Sequence, residues 1–236
     1  MIKIIGITFS VLTVTAAQAK HPSWPAPMHE TYVGQVMIDR LELQRQNGET
    51  SANWDITGWY GGDYHRLVWR FEGENTINDG NSSHVERNDL SYSYLLSPFW
   101  SVQAGLGVRQ SMSGHNKEHY GVLSLNGLAP YWFEVDSSVV INEAGQVQWL
   151  NEVEYDVLLT QSSYLQPRIT TTINVAKSTE FARPKGLEQL RIGLRYRHEI
   201  TREIAPYIGG YWQREKSVDN HYTTETGLVA GVRLWF

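Results

Sequence analysis

The feature that most narrows what this chain can fold into is a strand-length stretch near its C-terminus. Leu190, Ile192, Leu194 and Tyr196 alternate there with Arg191, Gly193, Arg195 and Arg197. A period of two is that of an extended strand, whose successive side chains point to opposite faces. One face of this strand is apolar and the other carries three guanidinium groups. A two-layer soluble fold buries such a strand poorly, because an ion taken out of water is costly unless it is paired. A barrel with a greasy outside and a wet inside accepts both faces.

The same alternation recurs along the chain. Tyr131, Phe133, Val135, Val139 and Ile141 alternate with Trp132, Glu134, Asp136 and Ser138, and Ile169, Thr171, Ile173 and Val175 with Arg168, Thr170, Thr172 and Asn174. Twelve segments of this kind are predicted, at 32–45, 51–60, 64–74, 84–95, 100–112, 118–128, 131–141, 146–158, 164–176, 188–200, 205–216 and 223–236. Each reaches the ~9–11 residues that a tilted membrane strand needs. Even-numbered segments end in short turns such as Gly61-Gly62-Asp63 and Ala129-Pro130, and odd-numbered ones in generally longer polar stretches. That asymmetry is expected of a barrel with periplasmic turns and outer loops. The expected fold is therefore all-β, a single antiparallel transmembrane barrel of about 12 strands. The last segment, Leu228, Ala230, Val232, Leu234 and Phe236 on one face, is similar to the C-terminal signature of outer-membrane barrels. Aromatic residues gather near strand ends, as expected of rings seated at headgroup level.

The N-terminus has Lys3, an apolar run from Ile4 to Val14, and Ala17-Gln18-Ala19. This is the pattern of a secretory signal peptide, with cleavage expected near Ala19. The expected organisation is a signal peptide over 1–19, a short periplasmic segment over 20–31 and the barrel over 32–236, in the outer membrane of a Gram-negative bacterium in contact with its lipids. A net charge of −5 argues against a nucleic-acid partner.

With no cysteine, any metal site must use His, Met, carboxylate or carbonyl groups. His21, Met28 and His29 lie in the proline-stiffened leader, and Met112, His115 and His119 lie at or beside an outer loop. Thioether and imidazole donors suit Cu(I), and imidazole also suits Cu(II). The lumen is expected to hold Arg66, Arg70, Glu72, Glu134, Asp136, Glu152, Glu154, Asp156, Arg168, Arg191, Arg195, Arg197 and Arg233, with Glu86, Glu199 and Arg214. Two roles remain open for these charges. They could form a salt-bridge network that fills the interior, or an acidic cation path along 134–136 and 152–156 gated by arginines. No G-x-S-x-G elbow occurs and no Ser/His/acid set selects itself, so no catalysis is expected.

Several longer motifs resemble those of the copper resistance protein B family. The stretch from Trp54-Asp55-Ile56-Thr57-Gly58-Trp59-Tyr60-Gly61-Gly62-Asp63 to Leu67 is similar to its first hallmark. Ser97-Pro98-Phe99-Trp100, Gly127-Leu128-Ala129-Pro130-Tyr131-Trp132-Phe133-Glu134 and Leu165-Gln166-Pro167-Arg168 resemble its middle, and Leu194-Arg195-Tyr196-Arg197 and Ala230-Gly231-Val232-Arg233 its end. The resemblance implies an outer-membrane protein of a copper resistance system. It implies copper ions, Cu(I) or Cu(II), as bound or transported ligand, and a periplasmic multicopper oxidase as partner. Members often carry a long Met/His-rich extension before the barrel, of which this chain retains only His21, Met28 and His29.

Overall fold

The structure is a computed structural model that describes residues 31–77, 83–111, 117–178 and 183–236. Its strands are β1 (Val33–Gln46), β2 (Glu49–Gly61), β3 (His65–Thr76), β4 (Ser83–Ser97), β5 (Trp100–Ser111), β6 (Lys117–Ala129) and β7 (Phe133–Asn142). They continue with β8 (Val147–Glu154), β9 (Val157–Thr160), β10 (Ser163–Asn174), β11 (Gly186–His198), β12 (Ile204–Lys216) and β13 (Tyr222–Trp235). Each pairs antiparallel with its neighbour, and β13 pairs back onto β1 from Met37↔Trp235 to Gln46↔Gly227, closing the sheet. Phe236 completes the seam by exchanging backbone hydrogen bonds with Val36 at 3.0 and 2.9 Å. Closure leaves β9, which pairs with β10 alone, as the one open edge among the described strands, and unpaired backbone groups are costly in hydrocarbon.

The predicted eighth strand is interrupted. β8 and β9 together form one of the twelve staves, split at Tyr155-Asp156, and both pair with β10. The opposing residue on β10 is Pro167, which has no N–H to donate, and the Tyr155 N–H reaches its carbonyl at 3.2 Å. Asp156 turns from the ladder to bind Arg197. The first outer connection also departs from the long-loop expectation. It is the two-residue hairpin Asn47-Gly48, with φ of 50° and 90°, the positive pair that a tight turn between right-twisted strands requires.

Outward faces are aliphatic, and the turn end carries exposed aromatics: Tyr60, Tyr64, Tyr94, Phe99, Tyr131 and Trp132. His65 packs among them, 5.3 Å from Tyr94 between ring centroids. Tyr131 and Trp132 both take positive φ, 66° and 68°. Such backbone costs roughly 1–3 kcal/mol per residue, and in return both rings stand in the interfacial layer that aromatics favour.

Inside, two tyrosines of β12 lie across β13. Tyr211 passes over Gly227, where an added Cβ would meet its ring at 2.5 Å, and Tyr207 passes over Gly231 to donate to Glu42 Oε2 at 2.9 Å. The seam is thus pinned from within by rings that need glycine beneath them. Gly227→Val is expected to displace Tyr211 and lower barrel stability by about 1–3 kcal/mol, the usual cost of overpacking. Urea unfolding in lipid vesicles, followed by tryptophan emission, checks this. An unchanged midpoint would mean that the tyrosine does not need the gap.

Candidate functional site

The lumen is lined by side chains of the opposite parity to the aliphatic ones, and in β1, β4 and β11 an extra acidic residue breaks that parity. In β1, Ile38 pairs with Ile56 and Arg40 with Asp55, so Asp39 is an extra residue. In β4, Glu72 pairs with Arg87 and Gly73 with Val85, leaving Glu86 over. In β11, Thr172 pairs with Gln189 and Ile173 with Leu187, leaving Glu188 over. A β-bulge of this kind turns two consecutive side chains to one face. Each of the three adds a carboxylate to the lumen beside a residue already there: Asp39 beside Arg40, Glu86 beside Arg87, and Glu188 beside Gln189.

The bulge in β1 joins two ion-pair systems. On one side Asp39 meets Arg168 at 3.5 Å and Arg233 at 3.2 Å. Arg168 also binds Glu154 at 2.8 Å and touches Glu152. On the other side Arg40 meets Asp55 at 2.7 Å and Glu72 at 3.9 Å. Glu72 continues to Arg87 at 3.9 Å, and Arg87 to Asp89. Shorter links flank this belt: Arg70 with Asp136, Arg195 with Glu42 at 3.0 Å, and Arg197 with Asp156. Arg191 lies 3.7 Å from the Tyr211 ring centroid, and Arg66 lies 4.3 Å from that of Trp59. Buried charges of this density must pair, and these arginines each have an acidic or aromatic partner, while Arg87 Nη2, Arg168 Nε and Nη2, Arg195 Nε and Arg197 Nε are buried without a hydrogen bond among the described residues.

The belt does not fill the interior. A cavity of about 1300 Å3 touches residues at the turn end, among them Asp63, Tyr64 and Leu128, and residues at the loop end, among them Gln46, His84 and Glu225. Among the described residues, carboxylates outnumber guanidiniums along it thirteen to ten, and no lysine lines it. The surplus lies toward the loops. Glu74, Glu86, Glu188, Glu215 and Glu225 form no ion pair among the described residues. Glu188 accepts from Gln148 and Asn174 at 3.1 and 2.9 Å, and Glu225 accepts from Gln46.

Of the residues expected in the lumen, Arg66, Arg70, Glu72, Glu134, Asp136, Glu152, Glu154, Arg168, Arg191, Arg195 and Arg233 line this cavity, as does Glu86. Arg197 and Glu199 line a smaller one of about 280 Å3 at the turn end. Arg214 is misplaced by the sequence reading. Gln213 and Glu215 hold the inward parity of β12, and Arg214 points outward over Tyr222, 4.3 Å from its ring centroid. Asp39, Arg40, Glu42, Asp55, Arg87, Asp89 and Glu118 belong to the network and were not anticipated. Their one signal is adjacency of charges, Asp39-Arg40 and Glu86-Arg87, where alternation should have put an apolar residue.

Among the copper-ligand candidates, His21, Met28, His29, Met112 and His115 lie outside the described residues. His119 faces outward on β6, opposite Val108. Among the described residues no three His, Cys, Asp or Glu side chains converge to hold a metal ion. One soft donor does face the lumen. The Met37 sulfur lies 3.3 Å from Arg233, and both residues line both cavities.

Comparison with known proteins adds three findings. A family described as "Copper resistance protein B precursor (CopB)" matches residues 32–236. The chain is 33% identical over 217 residues to the "Copper resistance protein B homolog" of Pseudomonas syringae pv. tomato, covering 89% of this chain and 72% of that one. It is 30% identical over 208 residues to "Copper resistance protein B" of Escherichia coli, covering 85% and 69%. Among solved structures, the KdgM porin aligns with a TM-score of 0.55 at 12% identity, and the NanC porin with 0.54 at 14%; each alignment covers 86% of this chain and 99% of the porin. At that identity the likeness concerns the fold, which is that of an outer-membrane porin.

Proposed function

The chain belongs to the copper resistance protein B family, and from that premise we propose that its barrel passes copper ions across the outer membrane through its own lumen. The observation that supports this most is the unneutralised row of carboxylates at the loop end of a cavity that reaches both rims. Charge of one sign along a water-filled, low-dielectric wall raises the local concentration of the opposite ion. Hard carboxylates attract a divalent ion without holding it tightly, and passage requires that weak hold. Met28 and His29 of the leader, with His21, are the capture ligands in this reading, since thioether suits Cu(I) and imidazole suits both Cu(I) and Cu(II). A periplasmic multicopper oxidase is the partner that this arrangement would serve, and the barrel itself performs no catalysis.

Copper influx into proteoliposomes that enclose a copper-sensitive dye tests the proposal. Wild-type barrel should admit copper, and Glu74→Gln/Glu86→Gln/Glu225→Gln should slow the influx by about tenfold at low ionic strength. The difference should shrink as salt screens the mouth. Influx no faster than through protein-free vesicles would sink the reading. The density of ion pairs favours a second one, a structural barrel whose lumen does not conduct. Planar-bilayer recording separates the two, because a closed barrel gives no open events.

A further inference from the structure

The lipid-facing surface carries a row of three adjacent polar side chains on β7, β8 and β10. Ser137 of β7 pairs with Asn151 of β8, which pairs with Thr171 of β10, so these three side chains stand in one row across three strands. Their parity is opposite to that of Asp136, Glu152 and Thr170, which face the lumen. The row therefore points out of the barrel, near the middle of β7 and β8. Around it the outward residues are apolar: Leu125 and Leu190 at its ends, Val135, Val153 and Ile169 on one side, and Val139, Trp149 and Ile173 on the other.

The row is hydrogen-bonded within itself. Ser137 donates to Asn151 Oδ1 at 2.8 Å, Asn151 Nδ2 donates to Thr171 Oγ1 at 3.3 Å, and the exposed Trp149 indole donates to Ser137 at 2.8 Å. These bonds leave over one N–H of the Asn151 amide and the hydroxyl hydrogen of Thr171. Acyl chains offer such donors nothing, so polar residues at this depth are expensive against lipid and serve as contacts against another protein. An amide is both donor and acceptor, so two copies of one row are complementary about a two-fold axis along the membrane normal. A partner for this surface must carry polar groups at the same depth, and a second copy of this chain carries them there.

We propose that the face formed by β7, β8 and β10 is a homodimer interface, with the Asn151 amides of two barrels meeting across a two-fold axis. The surrounding aliphatic residues pack against their counterparts, and both lumens remain open.

The chain has no cysteine, so a single introduced thiol reports the contact. Asn151→Cys protein, assembled in outer membranes and treated with a mild oxidant, should give a band of doubled mass. Leu228→Cys should not, since Leu228 is also lipid-facing and mid-strand but on β13. Wild-type protein in mild detergent should sediment as a dimer, and Asn151→Leu as a monomer with unchanged β-sheet circular dichroism. Equal crosslinking at both positions, none at position 151, or an Asn151→Leu protein that remains dimeric would each overturn the proposal.

Discussion

Arg168→Met is expected to destabilise the barrel by about 3–5 kcal/mol, the usual consequence of removing one partner from a buried charge network. The Arg168 side chain is 5% exposed and lies among three carboxylates, Asp39, Glu152 and Glu154. Methionine fills much of the same volume, so lost packing is a minor part of the effect. The main part is three acidic groups left facing one another, with only Arg233 still on Asp39. Adding Glu152→Gln and Glu154→Gln to Arg168→Met should recover most of the loss, because the surplus negative charge then disappears along with the cation. Changes within one such network are not additive, and the difference between the single and triple variants isolates the electrostatic part. Urea titration of each variant in lipid vesicles gives the numbers. A single variant within about 1 kcal/mol of wild type would mean that lumenal water, and not the guanidinium, solvates these acids.

How much of this is legible in the sequence depends on how closely each strand keeps its period. β11 alternates without fault through Leu190 to Arg197, and its inward arginines stand where alternation puts them. The closed antiparallel sheet, its short-turn end and the aromatic girdle follow from the same pattern. Faults in the pattern carry the information that was lost. Asp39-Arg40 and Glu86-Arg87 look like noise in a period-two signal, yet they are the bulges that add carboxylates to the interior. Arg214 fails in the opposite sense. At the loop end of β12 an outward arginine reaches past the hydrocarbon to lie over Tyr222, so its charge says nothing about which way it points. Alternation already sets Thr171 on the apolar face, but Ser137 and Asn151 resemble ordinary lumenal polar residues until register shows them beside it. The copper ligands proposed for the leader rest on donor chemistry, because residues 21, 28 and 29 fall outside the described part of the chain.

Two deletions one residue apart should have opposite outcomes. Removing Asp39 makes Ile38↔Ile56 and Arg40↔Asp55 consecutive pairs, and the same holds against β13, where two residues of β1 now oppose Arg233 between Ile38↔Leu234 and Leu41↔Val232. The ladder becomes regular, every remaining side chain keeps its face, and the barrel should close with near-normal yield. Arg168 still has Glu152 and Glu154, but Arg233 loses its carboxylate. The lumen gains one unit of positive charge beside Arg233, and copper influx should fall. Removing Ile38 also yields a regular ladder, but it seats Asp39 where Ile38 stood, and its carboxylate then points into acyl chains near the middle of β1. A one-residue change of register exchanges the faces of a strand, and an acid placed on the lipid face opposes insertion. The Ile38 deletion should therefore refold into vesicles at a small fraction of the wild-type yield, read as the heat-modifiable band on a gel. Equal yields from the two deletions would show that residue 39 is not the extra one. That result would also remove the basis for a lumen in which Asp39 and Arg40 tie the two halves of the ion-pair belt together.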